Sequence, residues 1–168
     1  MKSNRLIRTI LILAILALNI GCDQVTKSLV RTKMEPWSHY GYLNYHVTLN
    51  RVENTGAFLS LGDTLSGTVK IILFDVLPLL AILSGLIFIL VKTDLNRITV
   101  LSVILIVGGG FGNIYDRIVR GSVTDFMHIN FVIFQTGIFN VADLSITTGV
   151  FIILIQALLE RKKGLVEN

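Results

Sequence analysis

Asp125 and Asp143 are the residues of this chain best suited to chemistry. Neither has a lysine or arginine within three residues along the chain. Both border strongly apolar segments, where a carboxylate without an evident partner is costly and is by default a functional candidate. Two acids brought together beside a bilayer point to acid–base chemistry, because burial and like charge both change how tightly each holds its proton. Each residue alone also has a structural reading. Asp143 opens an apolar run, where an acid at a helix N-terminus gains about 0.3–1 kcal/mol, and Asn140 and Thr147 share its helix face. Asp125 alone reads as a solvated loop acid. The functional reading gains weight from position: both acids fall at the ends of adjacent apolar segments. The 17 residues joining them carry Phe126, Ile129, Phe131, Val132, Ile133 and Phe134, a loop that favours a bilayer surface over water.

Other catalytic sets are poorly supplied. His39, His46 and His128 have no HExxH-type spacing, and no Gly-x-Ser-x-Gly occurs. Cys22 lies within an apolar run, a poor setting for a thiolate. As the only cysteine it also excludes an internal disulfide and a multi-cysteine metal site.

The elements that position the two acids must be membrane helices. Hydrophobic residues make up 52% of the 168 and charged residues only 15%, a balance unlike that of a soluble domain. The charges cluster between long apolar runs. The net charge of +4 therefore reads as membrane topology and not as a nucleic-acid surface. Thr9 to Cys22 is 14 residues long. At about 1.5 Å per residue it covers about 21 Å of a hydrocarbon core about 30 Å thick. The helix must therefore continue through Asp23 and Lys27 toward Val30. The spans are expected at about 9–30, 71–91, 98–115 and 141–159, with Asp75 and Pro78 early in the second. Lys2, Arg5 and Arg8, then Lys92 and Arg97, then Arg161, Lys162 and Lys163 fall on one face, which the positive-inside rule makes cytoplasmic. The outer face then holds a β-element at about 36–62, with Tyr42–Leu49 as strand and a turn at Glu53–Gly56. It also holds an outer loop at about 116–140. The start of the chain, ending in Gly21-Cys22, resembles a lipoprotein signal peptide, but three further spans argue against an exported lipoprotein.

Polar residues inside the spans have two readings each. Asp23 and Lys27 stand four apart and can pair, either structurally or to orient a substrate. Gly108–Gly112 permits close helix packing and lacks the lysine and hydroxyl of a phosphate loop. Asn113 and Arg117 share a helix face, and Asp116 can be neutralised by Arg117 or Arg120. Asp75 is expected to snorkel to the interface.

Five strings then occur in order: Asp23–Lys27 (DQVTK), Asn54–Phe58 (NTGAF), Gly109–Arg117 (GGFGNIYDR), Val123–Phe126 (VTDF) and Phe139–Asp143 (FNVAD). Together they resemble lipoprotein signal peptidase, or signal peptidase II, a bacterial membrane aspartic peptidase family, across essentially the whole chain. The resemblance implies one membrane peptidase domain: an all-α membrane protein with a four-transmembrane-helix bundle and a small β-cradle on the periplasmic side. It implies Asp125 and Asp143 as the catalytic pair, with Asp23, Lys27, Asn54, Gly56, Asn113, Arg117 and Asn140 as their polar surround. No metal or other cofactor is implied. The implied substrate is a prolipoprotein whose cysteine carries a diacylglyceryl group, cut just before that cysteine. Membrane lipid and the family's cyclic peptide inhibitors are further expected partners. The implied location is the cytoplasmic membrane, with both termini inside and the site at the outer face. One departure concerns the cradle edge: the family reads Asn-x-Gly-Ala-Ala-Phe, whereas Phe58 here follows Ala57 directly.

Such a peptidase needs an activated water. Two close carboxyls sharing one proton provide a base for the water and an acid for the scissile carbonyl. Two other classes compete: a small transporter with an ion path through Asp23, Asp75 and Asp116, and a membrane-anchored binding module that uses the outer β-element.

Overall fold

The computed structural model describes residues 2–36, 38–56, 65–131 and 133–166. Four helical segments are long and apolar enough to cross a membrane: Arg5–Lys33, Gly67–Val91, Arg97–Arg120 and Val141–Lys162. They belong to α1 (Lys2–Lys33), a composite second segment, α4 (Arg97–Arg120) and α5 (Val141–Val166). The composite segment runs from α2 (Gly67–Lys70) through a π-helical stretch, Ile71–Val76, into α3 (Leu77–Val91). The π stretch has a local cause. Pro78 has no amide hydrogen to offer a carbonyl one turn back, and widening the turn accommodates its ring.

α4 is the centre of the bundle and packs on α5, α1 and α3. Its N-terminus is capped by Asn96, whose side chain accepts from the Thr99 amide at 2.8 Å, and it ends on Gly121 at φ 77°, a left-handed position that glycine adopts without a side-chain clash. Ile12, Leu16, Ile82, Ile89, Ile104, Val107 and Ile114 form the buried apolar cluster between helices. Leu18, Leu80, Ile87, Phe151 and Leu158 project outward, as expected where the solvent is lipid. Small residues set the spacing. A methyl group on Gly109 would collide with the Ala142 carbonyl oxygen, and one on Gly112 with the Asp23 carboxylate. The glycine run therefore serves helix packing. Asn19 adds polar glue, accepting from Ser145 at 2.8 Å and donating to the Leu105 carbonyl at 3.3 Å.

A sheet of order β1-β2-β3-β4 closes one end of the bundle. β1 (His39–Tyr42) and β2 (Val47–Asn54) form a hairpin whose connection places Leu43, Asn44 and Tyr45 at positive φ. β3 (Val123–Phe131) pairs antiparallel with β2, and β4 (Phe134–Gln135) with β3. The expected outer loop at 116–140 thus begins as the last turn of α4 and carries the strands β3 and β4. Its Val, Thr, Phe and Ile content favours a pleated, half-buried surface, and β2 supplies the edge on which it pairs. Within NTGAF, Ala57 and Phe58 lie outside the described residues.

Candidate active site

Asn140 and Asp143 open α5 with a reciprocal pair of bonds. Asn140 Oδ1 accepts from the Asp143 amide at 3.0 Å, and Asp143 Oδ2 accepts from the Asn140 amide at 3.1 Å. This capping box satisfies orphan donors of the first turn and fixes the Asp143 carboxylate. Its other oxygen, Oδ1, accepts from Asn113 Nδ2 at 2.8 Å. The helix-terminal reading of Asp143 and a reactive role for it are therefore compatible.

Asp125 reaches the same place from β3. It stands opposite Val52, while Asn54 stands opposite Val123. Asn54 and Asp125 are thus diagonal neighbours on one sheet face, within reach of each other, and Asn54 Nδ2 donates to Asp125 Oδ2 at 2.9 Å. Asn140 Nδ2 donates to the second oxygen at 2.6 Å. At 4% exposure, Asp125 is no solvated loop acid.

The orientations of all three asparagine amides follow from partners that can only donate. Asn54 Oδ1 accepts from the Gly56 amide at 3.0 Å, Asn113 Oδ1 from Lys27 Nζ at 2.8 Å, and Asn140 Oδ1 from the Asp143 amide. Each NH₂ must then face a carboxylate. Asn140 also donates to Asn113 Oδ1 at 3.2 Å, so the two acids are joined through a bridge of amides. Asp125, Asp143, Asn54, Asn113 and Arg117, with Val123 and Ile138, line one cavity of about 50 Å³, room enough for ordered water. Among the described residues neither acid makes an ion pair.

Burial above all, with the negative charge of Asp143, raises the Asp125 carboxyl to about 6, against the lowering effect of the Asn54 and Asn140 hydrogen bonds and of Lys27.

Behind the cavity lies a fully buried charge cluster. Lys27 Nζ sits 2.9 Å from Asp23 Oδ2, 2.9 Å from Asp116 Oδ2 and 2.8 Å from Asn113 Oδ1, so all of its donor directions are used. Asp23 Oδ1 accepts from the Ala142 amide at 2.9 Å, fastening α1 to the first turn of α5. Lys27 thus orients Asn113, and Asn113 orients Asp143. Asp116 is neutralised by Lys27, Arg31 (3.5 Å) and Arg120 (3.4 Å). Arg117, the other expected neutraliser, instead donates to the Gly56 carbonyl at 3.0 Å. With Asp23 and Asp116 committed to one lysine, an ion path through them loses its carriers.

Every residue expected at the site lies in this network. Sequence reasoning missed its supports. Arg31 donates to Thr124 Oγ1 at 3.0 Å, and Thr124 donates to Glu53 at 3.1 Å on the opposite face of the β2–β3 pair. Arg31 stands one turn beyond Lys27 and could have been found on the same helix face. Glu53 and Thr124 meet only through strand register. Among the described residues no group of three or more His, Cys, Asp or Glu side chains is arranged to hold a metal ion.

The family described as Signal peptidase (SPase) II matches residues 15–159. The chain belongs to that family. Signal peptidase II chains named lipoprotein signal peptidase are similar along nearly their whole length. That of Streptococcus pneumoniae (strain ATCC BAA-255 / R6) is 32% identical, covering 92% of this chain and 96% of its own. That of Staphylococcus haemolyticus (strain JCSC1435) is 33% identical, with 94% and 96% covered. A solved bacterial membrane enzyme structure, determined by the in meso method at 2.3 Å resolution, superposes with a TM-score of 0.80 at 27% identity over 90% of both chains. A second, at 1.9 Å, gives 0.76 at 27% identity over 88% of this chain and 92% of that one. The chain is a multi-pass membrane peptidase of the signal peptidase II family, and the polar network is its candidate active site.

Proposed function

We propose that this peptidase is of the aspartic type, with Asp125 and Asp143 as the catalytic pair, and that it removes the signal peptide from prolipoproteins whose cysteine carries a diacylglyceryl group, cutting just before that cysteine. The observation that carries this reading is the shared cavity: two carboxyls from different elements, each held by asparagine donors and, among the described residues, neither paired with a cation. The names of the similar lipoprotein signal peptidases supply the substrate class.

The pair shares one proton, and burial raises the proton affinity of Asp125, which suits it to the acid's role. Asp143 takes a proton from a water in the cavity, and Asp125 donates to the scissile carbonyl oxygen as the water adds. Collapse of the tetrahedral adduct returns a proton to the leaving amine. Arg117 and the asparagines steady the charge that develops. The diacylglyceryl chains stay in the outer leaflet and present the scissile bond at the rim of the bundle, and their apolar grip supplies binding that a short peptide lacks. A cyclic peptide inhibitor of the family would bind over the mouth of this cavity and block it.

The test uses the purified full-length protein with a diacylglyceryl-modified prolipoprotein, reading released signal peptide. Asp125→Asn and Asp143→Asn should each reduce turnover by at least about 10²–10⁴-fold while the protein remains folded and inserted. Near-normal turnover in either variant would refute the assignment.

A further inference from the structure

Asp75 is half-buried. Its Oδ1 is buried and accepts no hydrogen bond among the described residues, and Arg117 Nε is likewise buried without an acceptor. The two side chains line one cavity of about 270 Å³, together with Thr55, Lys70, Phe74 and Gly121. Arg117 also lines the smaller cavity that holds Asp125 and Asp143. The guanidinium thus forms a wall between a lone acid and the acid pair.

The charges around Arg117 come from every side: Asp75 from the π stretch, Asp143 from α5, Asp125 from β3, Asp116 from α4 itself, and Lys70 from α2. Lys27 on α1 acts on Asp125 from behind. Arg117 is therefore contested, and where it rests decides whether the pair can keep its single proton. A guanidinium lying on the pair would favour ionisation of both carboxyls, leaving no acid to donate to the scissile carbonyl.

We propose that Asp75 is a positioning residue for Arg117: it is the counter-charge that holds the guanidinium against the Gly56 carbonyl, on the far wall of the catalytic cavity, and away from Asp125 and Asp143. This rests on the aspartic reading above.

The pH dependence of kcat/KM on a diacylglyceryl-modified prolipoprotein tests it, with full-length protein. Asp75→Asn should move the alkaline limb down by about one pH unit, with about tenfold lower kcat/KM above that limb. Asp75→Glu, which keeps the charge, should restore the limb. In an Arg117→Gln background, Asp75→Asn should move it no further. An unmoved limb in Asp75→Asn overturns the proposal, as does a loss of rate without a shift, which is what a merely structural residue would give. An equal shift with Arg117 absent overturns it too. Asp125→Asn, measured alongside, separates the two claims. If it still cleaves, both fall; if it is dead while Asp75→Asn matches the wild type, only the role of Asp75 falls.

Discussion

Asp125 receives donors on both carboxylate oxygens, from Asn54 and Asn140, yet burial still raises its proton affinity, to a pKa of about 6. A group that binds its proton more tightly in the folded than in the unfolded chain favours folding at low pH. That contribution is fully present below about pH 4, the ordinary carboxyl value, and is lost as pH rises through the folded value. Asp125→Asn cannot ionise and loses nothing. The difference in thermal midpoint, variant minus wild type, should therefore grow in favour of the variant between pH 4 and pH 7. A difference that is flat or falls with pH would show that the folded site does not disfavour the Asp125 carboxylate. At this scale the sequence was informative, because DQVTK, NTGAF, GGFGNIYDR, VTDF and FNVAD supply the acids, the lysine and all three asparagines of the network. The direction of each amide was not legible. For Asn54 and Asn140 it depends on the local backbone conformation that brings the Gly56 and Asp143 amides back onto the side chain, and for Asn113 on Lys27 Nζ arriving from α1.

At the scale of elements, the site is where α1, α4, α5 and the β2–β3 pair converge, and Gly112 sets how closely two of them approach. The Gly112→Ala methyl would meet the Asp23 carboxylate, so α1 must shift or Asp23 must release Lys27 and the Ala142 amide. Overpacking of this kind costs about 1–3 kcal/mol. Because the displaced group belongs to the chain from Lys27 through Asn113 to Asp143, activity should fall along with stability. Thermal unfolding and turnover of Gly112→Ala, compared with Gly21→Ala, whose added methyl meets no neighbouring element within 4 Å, measure both; equal behaviour of the two variants would show that Gly112 does not set the approach of α1 to α4. The long apolar runs made the helices legible, since hydropathy and length alone require them to span. β3 was not legible as a strand. Its buried stretch Val123–Phe126 lacks clean alternation, and its partner β2 lies about 70 residues away in the chain. The cavity that Asp75 shares with Arg117 was not legible either, because the two residues stand on different helical segments that only packing brings together.

At the scale of the whole molecule, the sheet and the acid pair occupy one end of the bundle, and the start of α1, the α3–α4 connection and the end of α5 occupy the other. Arg8 donates to the Lys92 carbonyl at 2.9 Å, and Thr99 bonds Gln156 at 3.1 Å. Arg5, Arg8, Lys92, Arg97, Arg161 and Lys162 therefore gather at the end opposite the site. The site end is also basic, but four of its arginines are committed within the fold: Arg31 and Arg120 to Asp116, Arg51 to the Arg31 and Met34 carbonyls, and Arg117 to Gly56. The short α3–α4 connection and the basic start of α1 should then dominate insertion and keep their end in the cytoplasm. A substrate held by acyl chains in the outer leaflet can reach the acids only in this orientation. Single cysteines in a Cys22→Ser background test it. Gln135→Cys on β4 and Asp94→Cys in the α3–α4 connection are both exposed positions. A membrane-impermeant maleimide added to intact spheroplasts should label Gln135→Cys at once and Asp94→Cys only after the membrane is permeabilised. The reverse pattern would place the cavity on the cytoplasmic side, out of reach of an outer-leaflet substrate, and would remove the lipid-anchored delivery on which the proposed cleavage depends.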